Sequence, residues 1–255
     1  MLAAVCDGDA KKLAELMRQD PGFKVNMNRN EKGWTLLHYA CFERWRSPVI
    51  PVLLAHPDID VNLKEGDHGA SPFYFACRHG RTPCVREMLK DSRVKVNEPE
   101  DEGRTPLWFA AIRGHLNVIE WWIASGREMN LGRPGEWGTD VIGVARRNGT
   151  TGAAILLERF KENPVKTRQT MRVKLGLVDE QAAEMFALVV FVSDGLLQVE
   201  DTTTTTPAAR FFSIVARLPL ELQMVLCYRL VGSYKEIISG KESEVAFKEL
   251  ARKLW

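Results

Sequence analysis

The sequence predicts an all-α protein in which stacked helix pairs form a solenoid and a helical module follows. Two observations predict the solenoid. A nine-residue block that begins with glycine recurs, and the leading glycines Gly33, Gly69, Gly103 and Gly138 are 36, 34 and 35 residues apart. Apolar residues behind each block fall at helical spacing. Repeats of this period stack into open solenoids rather than closed domains.

The composition is that of a folded protein, since 45% of the 255 residues are hydrophobic and 27% are charged. Thirty-five Lys and Arg side chains are balanced by 33 Asp and Glu, which leaves a net charge of +2 without a basic segment. A phosphate backbone or an anionic membrane would require clustered basic residues. We therefore expect neither a nucleic acid nor a membrane as a partner.

The five cysteines include no C-x-x-C pair, which favours reduced thiols. The apolar run at the N-terminus breaks at Asp7 and is too short for a signal peptide. The longest apolar stretch, around residues 187–192, is well below the ~18 residues that a membrane span needs. We expect a soluble cytoplasmic protein, with the nucleus as the open alternative.

Three of the repeated blocks align residue by residue. Residues 33–41 read GWTLLHYAC, residues 69–77 read GASPFYFAC and residues 103–111 read GRTPLWFAA. The Thr or Ser in the third position can cap a helix, and proline suits the first helical turn. Each helix pair is followed at the same register by an apolar residue and an asparagine: Val61-Asn62, Val96-Asn97 and Met129-Asn130.

This pattern resembles the ankyrin-repeat family, whose signature T-P-L-H-x-A precedes a Gly-His break and a second helix. The third copy, TPLWFAAIRGHLNVIEWWIASG, keeps every element except the motif histidine, which is replaced by Trp108. The first copy keeps His38 but has Leu36 in place of the proline and Arg44 in place of the break glycine. The resemblance covers about residues 2–160 and implies helix-turn-helix repeats with β-turn fingers.

On this basis residues 1–160 comprise an N-terminal half-repeat cap, about 26 residues long, and about four repeats. The repeats begin near Asn30, Gly66, Glu100 and Gly135. Pro51 falls in the first turn of an outer helix and removes a backbone donor there. We therefore expect that helix to be shortened or distorted.

The repeat pattern stops after Phe160. Residues 161–201 read as a basic connector with little pattern, followed by a buried helix that is apolar nearly all round over residues 182–192. Residues 202–207 form a Thr-rich linker. Residues 208–255 read as a C-terminal helical module with helices over 208–217, 220–231 and 243–254.

The segment LPLELQMVLCYRL, residues 218–230, is similar to the opening of an F-box. An F-box-like module behind ankyrin repeats also resembles the poxvirus type of ankyrin protein. In that family the module docks on the linker subunit of a cullin ubiquitin ligase, and the repeats hold the substrate. The docking residues implied by the resemblance are Leu218, Pro219, Glu221, Leu222 and Leu226.

The same segment also fits a second interpretation, a capped amphipathic helix that covers the end of the solenoid or forms a dimer. A third resemblance, to the elongin-binding box, fails because position 223 is Gln where that box needs Leu. Exposure separates the first two interpretations. A docking module exposes Leu222, Leu226 and Leu230, whereas a cap buries them against Leu156, Leu157 and residues 180–192.

Motifs of catalysis and metal binding are missing from the sequence: there is no nucleophile elbow, H-E-x-x-H, P-loop or clustered His/Cys set. Residues 131–138, LGRPGEWG, have neither the glycine spacing nor the Lys-Ser/Thr of a phosphate loop and read as a longer finger. We expect no enzymatic activity, no metal and no cofactor.

Binding of a protein partner on the concave surface is what the ankyrin resemblance implies. The contact positions of the family, beside the motif glycine and after the alanine pair, are here Glu31, Lys32, Trp34, Phe42, Glu43, Asp67, His68, Arg78, His79, Asp101, Glu102, Arg104, Ile112, Arg113, Glu136 and Trp137. We hypothesise that Trp34, Phe42 and Trp137 are binding hot spots, since aromatic side chains dominate such sites. The alternative is that Phe42 and Trp45 pack on residues 47–51 and Trp137 pins its own loop.

Overall fold

The computed structural model describes residues 1–27, 30–132, 140–194, 211, 214, 215, 217–231 and 240–254. The regular elements in these ranges are helices, without a strand. The chain divides into two compact units, Met1–Met171 and Arg172–Trp255. In the described ranges no helix combines the length and the apolar character that crossing a membrane would require.

The first unit is a stack of helix pairs. Two short helices form the cap, α1 (Leu2–Asp7) and α2 (Ala10–Gln19). The inner helices of the four repeats are α3 (Leu36–Phe42), α5 (Pro72–Arg78), α7 (Pro106–Ile112) and α9 (Val141–Arg147). The outer helices are α4 (Ile50–Leu54), α6 (Thr82–Lys90), α8 (Leu116–Ser125) and α10 (Thr151–Glu162).

Each inner helix begins at a side-chain cap, as the repeated Thr or Ser predicted. Thr35, Ser71 and Thr105 accept a hydrogen bond from the backbone N–H three residues on, and the fourth repeat uses Asp140 in the same way. In the first repeat the His38 ring returns a bond to the cap residue and completes a capping box. The same device therefore sets the start of all four inner helices.

The outer helix of the first repeat is distorted, which confirms the expectation drawn from Pro51. A 3₁₀ helix over Arg44–Val49 precedes the five-residue α4. Arg46 fastens this segment, because its Nε donates to the Cys6 carbonyl at 3.0 Å and its Nη1 donates to the Tyr39 carbonyl at 3.1 Å. Side-chain bonds here compensate for the missing helical turn.

The core of the stack combines small residues of the inner helices with large apolar residues of both the inner and the outer helices. Ala40, Ala76 and Ala110 are fully buried, which lets neighbouring helices approach closely. The fully buried Trp122 lies edge-on to Phe73, with ring centroids 5.1 Å apart. This layer holds the inner helices at a fixed spacing.

An asparagine ladder links successive repeats on the outer side of the fingers. Asn62 donates to the Arg93 carbonyl at 2.9 Å and accepts from the Lys95 N–H at 2.8 Å. Asn26 makes the equivalent pair of bonds to residues 58 and 60, and Asn97 makes it to residues 128 and 130. Each side-chain amide thus bridges to the following repeat, 31 to 34 residues along the chain.

The prediction of a connector with little pattern is wrong for residues 164–174, which form helix α11 (Pro164–Lys174). Asn163 accepts from the Lys166 N–H at 2.9 Å and caps the helix, and proline occupies its first position. Thr167 and Met171 are the buried residues of this helix, and Thr167 donates to the Arg159 carbonyl at 2.9 Å. Because this helix buries only two side chains, the hydrophobic period of its sequence is too weak for a helix to be predicted.

The second unit contains helices α12 (Leu177–Ser193), α13 (Leu220–Leu230) and α14 (Gly240–Leu254). Its core joins Phe186 and Ala187 of α12 to Cys227 and Tyr228 of α13 and Ala246 of α14. The burial predicted for residues 182–192 is found at six of these eleven positions. The Thr-rich linker lies outside the described residues, as does most of the segment 208–217.

Candidate protein-binding surface

The finger turns are organised by a polar side chain at the same register in three repeats. Glu65 accepts from the N–H groups of Asp67 and His68 at 2.8 Å each, and Asn30 accepts from the Trp34 N–H at 2.9 Å. Glu100 occupies the corresponding place in the third repeat. Each finger is thus a closed turn that holds its tip in one conformation.

The fingertip residues that the sequence predicted are exposed and lie in a row. Adjacent fingers are joined by backbone bonds from Gly66 N–H to the Lys32 carbonyl at 2.8 Å and from Asp101 N–H to the His68 carbonyl at 2.9 Å. The exposed residues of the row are Glu31, Lys32, Asp67, His68, Asp101 and Glu102. Glu136 and Trp137 of the fourth finger lie outside the described residues.

An aromatic shelf, which we define as Trp34, Phe42, Phe75 and His79, lies behind the first two fingers. The Trp34 ring is 5.3 Å from Phe42 and 4.9 Å from Phe75, and Phe42 is 4.9 Å from His79. Trp34, Phe42 and His79 are half-buried, while Trp45 lies outside the shelf and is 57% exposed. The structure therefore brings together two of the three predicted hot-spot residues.

Next to the shelf, three guanidinium groups surround one ring. Arg78, Arg104 and Arg113 lie 5.0, 5.2 and 5.9 Å from the centroid of Phe109, a distance typical of cation–π contacts. Tyr74 packs edge-on against the same ring at 5.3 Å. We call these five residues the Phe109 cluster.

The arginines of the Phe109 cluster differ in their pairing. Arg104 is neutralised, since it binds Glu100 through Nε and Nη2 at 2.7 and 3.2 Å and Glu102 at 2.9 Å. Arg78 and Arg113 form no ion pair with any described residue. The buried Arg78 Nε also makes no hydrogen bond within the described residues. Two positive charges on this surface are therefore uncompensated.

The pKa of His79 is affected by the positive charges of this region. Burial, together with the charges of Arg81, Arg113 and Arg78, lowers the pKa of His79 to about 4. Glu43 lies 3.4 Å from Arg81 and compensates that guanidinium. The imidazole is thus neutral at physiological pH and offers a flat polar face rather than a charge.

In the second unit, the residues of the F-box-like segment lie at the start of α13. Leu222 is 50% exposed, and Pro219 and Glu221 are exposed as well. Leu218 is half-buried, while Leu226 is half-buried against the core of the unit. The exposed apolar side chains of this helix are Leu220, Leu222 and Leu230.

Gln223, the residue that breaks the elongin-binding pattern, is 4% exposed and donates to the Leu218 carbonyl at 2.9 Å. It therefore serves the structure of α13 itself.

A family model described as ankyrin repeats in three copies matches residues 46–133. Residues 46–133 therefore carry ankyrin repeats. The repeat over Gly33–Leu54 begins before the matched range, and its 3₁₀ segment replaces the regular start of an outer helix. The capped inner helices α3 and α9 extend the helical repeat pattern on both sides of the match.

Known proteins are similar to parts of this chain. The SMC5-SMC6 complex localization factor protein 1 of Bos taurus is 36% identical over 96 residues, which are 37% of this chain and 9% of that protein. The transient receptor potential cation channel subfamily A member 1 of Homo sapiens is 31% identical over 115 residues, 44% of this chain and 10% of the channel. The probable E3 ubiquitin-protein ligase XBOS32 of Oryza sativa subsp. japonica is 28% identical over 133 residues, 40% of this chain and 26% of that protein. The chain thus spans about a tenth of the first of these relatives.

Three aromatic residues outside the predicted contact positions occupy the same position of the ankyrin motif. Tyr39, Phe75 and Phe109 occupy the x position of T-P-L-H-x-A in the first three repeats. Phe75 belongs to the aromatic shelf and Phe109 to the adjacent cluster. Three aromatic side chains at a position that varies in the motif were a detectable signal.

Proposed function

We propose that this chain is a non-catalytic binding module whose concave ankyrin surface holds a protein partner through an acidic segment with an apolar or aromatic side chain. The observation that carries the proposal is the uncompensated pair Arg78 and Arg113 beside the aromatic shelf. The sixteen contact positions predicted from the sequence supply the rest of the surface.

The physical argument combines charge and apolar area. A carboxylate placed between Arg78 and Arg113 accepts charge-assisted hydrogen bonds, which are about twice as strong as neutral ones. Trp34 and Phe42 are half-buried and present apolar area at a low cost in side-chain entropy. The acidic fingertips repel a uniformly acidic partner, so they favour a segment with its carboxylate near the inner helices.

The test is affinity capture from eukaryotic lysate with the full chain, quantified by mass spectrometry. Arg113→Gln and Trp34→Ala remove exposed or half-exposed groups, and the matched controls are Arg159→Gln on α10 and Trp45→Ala. We expect both test variants to reduce the captured partner by about tenfold, equivalent to about 1.4 kcal/mol, and both controls to retain it. If folded Arg113→Gln and Trp34→Ala proteins capture the same partner as the unmodified chain, the proposal is wrong.

A second candidate function is recruitment of a cullin ubiquitin ligase through its linker subunit. The exposure of Leu222 and Leu230 supports it, since an end cap would bury these side chains. The similarity of the repeats to a rice protein named a probable E3 ubiquitin-protein ligase is a second, weaker support.

This candidate is tested with purified linker subunit and the full chain. Leu222→Glu alters the proposed docking face, and Val245→Glu on α14 is the matched control because Val245 is equally exposed in the same unit, at 51% against 50%. We expect the unmodified chain and the Val245→Glu protein to bind and the Leu222→Glu protein to lose binding. Absence of binding by the unmodified chain favours the alternative, a plain scaffold whose C-terminal helices are a structural cap or dimerisation element.

We further propose that the protein acts in the cytoplasm. The support is that all five cysteines are free thiols, as expected in a reducing compartment. Fractionation of cells that express the full chain tests this, and recovery in the nuclear fraction would identify the nucleus instead.

A further inference from the structure

A cavity of about 410 Å³ lies among the first turns of α6 and α8 and the start of the 3₁₀ segment. Its lining includes Arg44, Arg81, Thr82, Arg86, Asn117 and Trp121. These residues are separate from the sixteen positions of the concave surface. The cavity is therefore a distinct feature that the proposed partner does not use.

The charged groups of this lining are all positive. Arg81 is held by the Phe42 carbonyl at 2.7 Å and by Glu43 at 3.4 Å, and Arg86 contacts Glu87 at 3.1 Å. Arg44 is exposed and has no partner among the described residues. Neither Glu43 nor Glu87 lines the cavity. An anion that enters meets three guanidinium groups and no carboxylate.

The pKa of a neighbouring histidine, His115, is affected by its burial and by nearby charges. Burial lowers the pKa of His115, and although its bond to the Arg78 carbonyl opposes this, the charges of Arg113 and Arg81 lower the pKa further. His115 is in contact distance of Gly80, which also lines the cavity. Of the three arginines that line the cavity, Arg81 contributes to this lowering.

One wall of the cavity is aromatic. The Arg86 guanidinium lies over the Trp121 ring at 5.5 Å, which fixes both side chains. The Thr82 hydroxyl and the Asn117 amide add neutral hydrogen-bonding groups to the lining. The volume falls in the range of small-molecule sites, about 300–1,000 Å³, and exceeds what a bare ion needs.

We propose that this cavity binds a phosphate group, with Arg44, Arg81 and Arg86 on the phosphate and Trp121 against any group that carries it. Arginine matches phosphate geometry with paired N–H donors. Arg81 and Arg86 are already paired with Glu43 and Glu87, so the uncompensated charge of the lining is that of Arg44. A phosphate group suits the three guanidinium groups better than a carboxylate does, because it offers three acceptor oxygens where a carboxylate offers two. The phosphate comes either as a free ion or on a phosphorylated side chain.

The experiment is isothermal titration calorimetry of the full chain at low ionic strength with three probes: inorganic phosphate, N-acetyl-phosphoserine amide and N-acetyl-phosphotyrosine amide. The variants are Arg44→Gln and Arg86→Gln, because both side chains are exposed and can be replaced without loss of the fold. Arg81 is retained since it fastens the Phe42 carbonyl. Arg18→Gln, an exposed arginine on α2, is the matched control.

We expect each of Arg44→Gln and Arg86→Gln to weaken binding by about five- to tenfold, and Arg18→Gln to change it by less than about twofold. Binding should also change the tryptophan fluorescence, and this change should be absent in Trp121→Phe. Tighter binding of the phosphotyrosine probe identifies a phosphorylated aromatic side chain as the source, and equal binding of all three identifies phosphate itself. The proposal is overturned if no probe binds up to about 10 mM, or if both cavity variants bind as the unmodified chain does.

Discussion

Replacement of Arg104 by glutamine should destabilise the ankyrin stack and change how its stability depends on pH. Arg104 forms a bidentate pair with Glu100, whose side chain is 1% exposed, while Arg104 itself keeps 18% of its exposure. Arg104→Gln leaves the Glu100 carboxylate buried without its counter-charge. Both residues belong to the third finger, so the pair stabilises the turn that precedes α7.

The size of this effect follows from the burial of the two partners. Removing one member of a buried ion pair costs about 3–5 kcal/mol. Glu100 retains the Arg104 backbone N–H at 3.2 Å as a donor, and Arg104 is partly solvated. We therefore expect a loss just below this range, about 2–3 kcal/mol, or about 5–10 °C in Tm for a unit of this size.

The pH dependence has a definite sign. Burial alone would raise the pKa of Glu100, but the hydrogen bonds and charge of Arg104 outweigh it and hold the pKa below its usual 4.5. The pair thus stabilises the fold above about pH 4.5, and this contribution is lost as pH falls through the lowered pKa. In Arg104→Gln the burial remains without the arginine, so the carboxyl is protonated more readily. The difference in unfolding free energy should therefore be largest near pH 7 and shrink towards pH 4.

Urea denaturation of the two proteins at pH 7 and pH 4 measures this difference. Glu102→Gln is the matched control, because Glu102 pairs with the same guanidinium at 2.9 Å but is 57% exposed, and its loss should cost at most about 1 kcal/mol. The reasoning fails if Arg104→Gln costs no more than Glu102→Gln, or if its cost is the same at both pH values.

Two further predictions concern the stack and its thiols. Gly80→Ala should destabilise by about 2 kcal/mol or more in urea denaturation, since φ is +64° and the added Cβ would lie 2.6 Å from His115 Nδ1, whereas Gly149→Ala at φ +72° meets open space and should cost about 1 kcal/mol. Equal losses in the two variants would contradict the steric argument. Ellman's reagent at pH 8 should label one thiol rapidly, that of Cys6, which is the partly exposed cysteine, while burial raises the pKa of Cys227 to about 11. Rapid reaction of more than one thiol would show that the core opens.

The regular part of the fold was predictable because the same kind of capping residue recurs at the same position of the repeat. Thr35, Ser71 and Thr105 recur at one register with proline or leucine behind them, and each caps an inner helix. Pro51 has no backbone donor and stands in the first turn of the five-residue α4, which a 3₁₀ segment precedes. The residue types and their positions in the repeat were sufficient to predict these helices.

Contacts between repeats were not predictable from the residues one at a time. Arg78 and Phe109 are 31 positions apart, and the sequence does not say that a guanidinium stacks on that ring. Within the third finger, the predicted contact residue Arg104 is paired with Glu100 and therefore adds no free charge to the surface. The cavity arginines Arg44 and Arg86 come from different repeats, so their proximity depends on the stacking geometry.

The asparagine ladder has a consequence for the number of repeats. Asn26, Asn62 and Asn97 each offer the next repeat the same donor and acceptor, and each interface receives them at the same two backbone positions. A whole unit of about 35 residues can therefore be duplicated or deleted without leaving an unmatched amide at the new junction. Genetic recombination can lengthen or shorten such a stack while the chemistry of every junction stays the same.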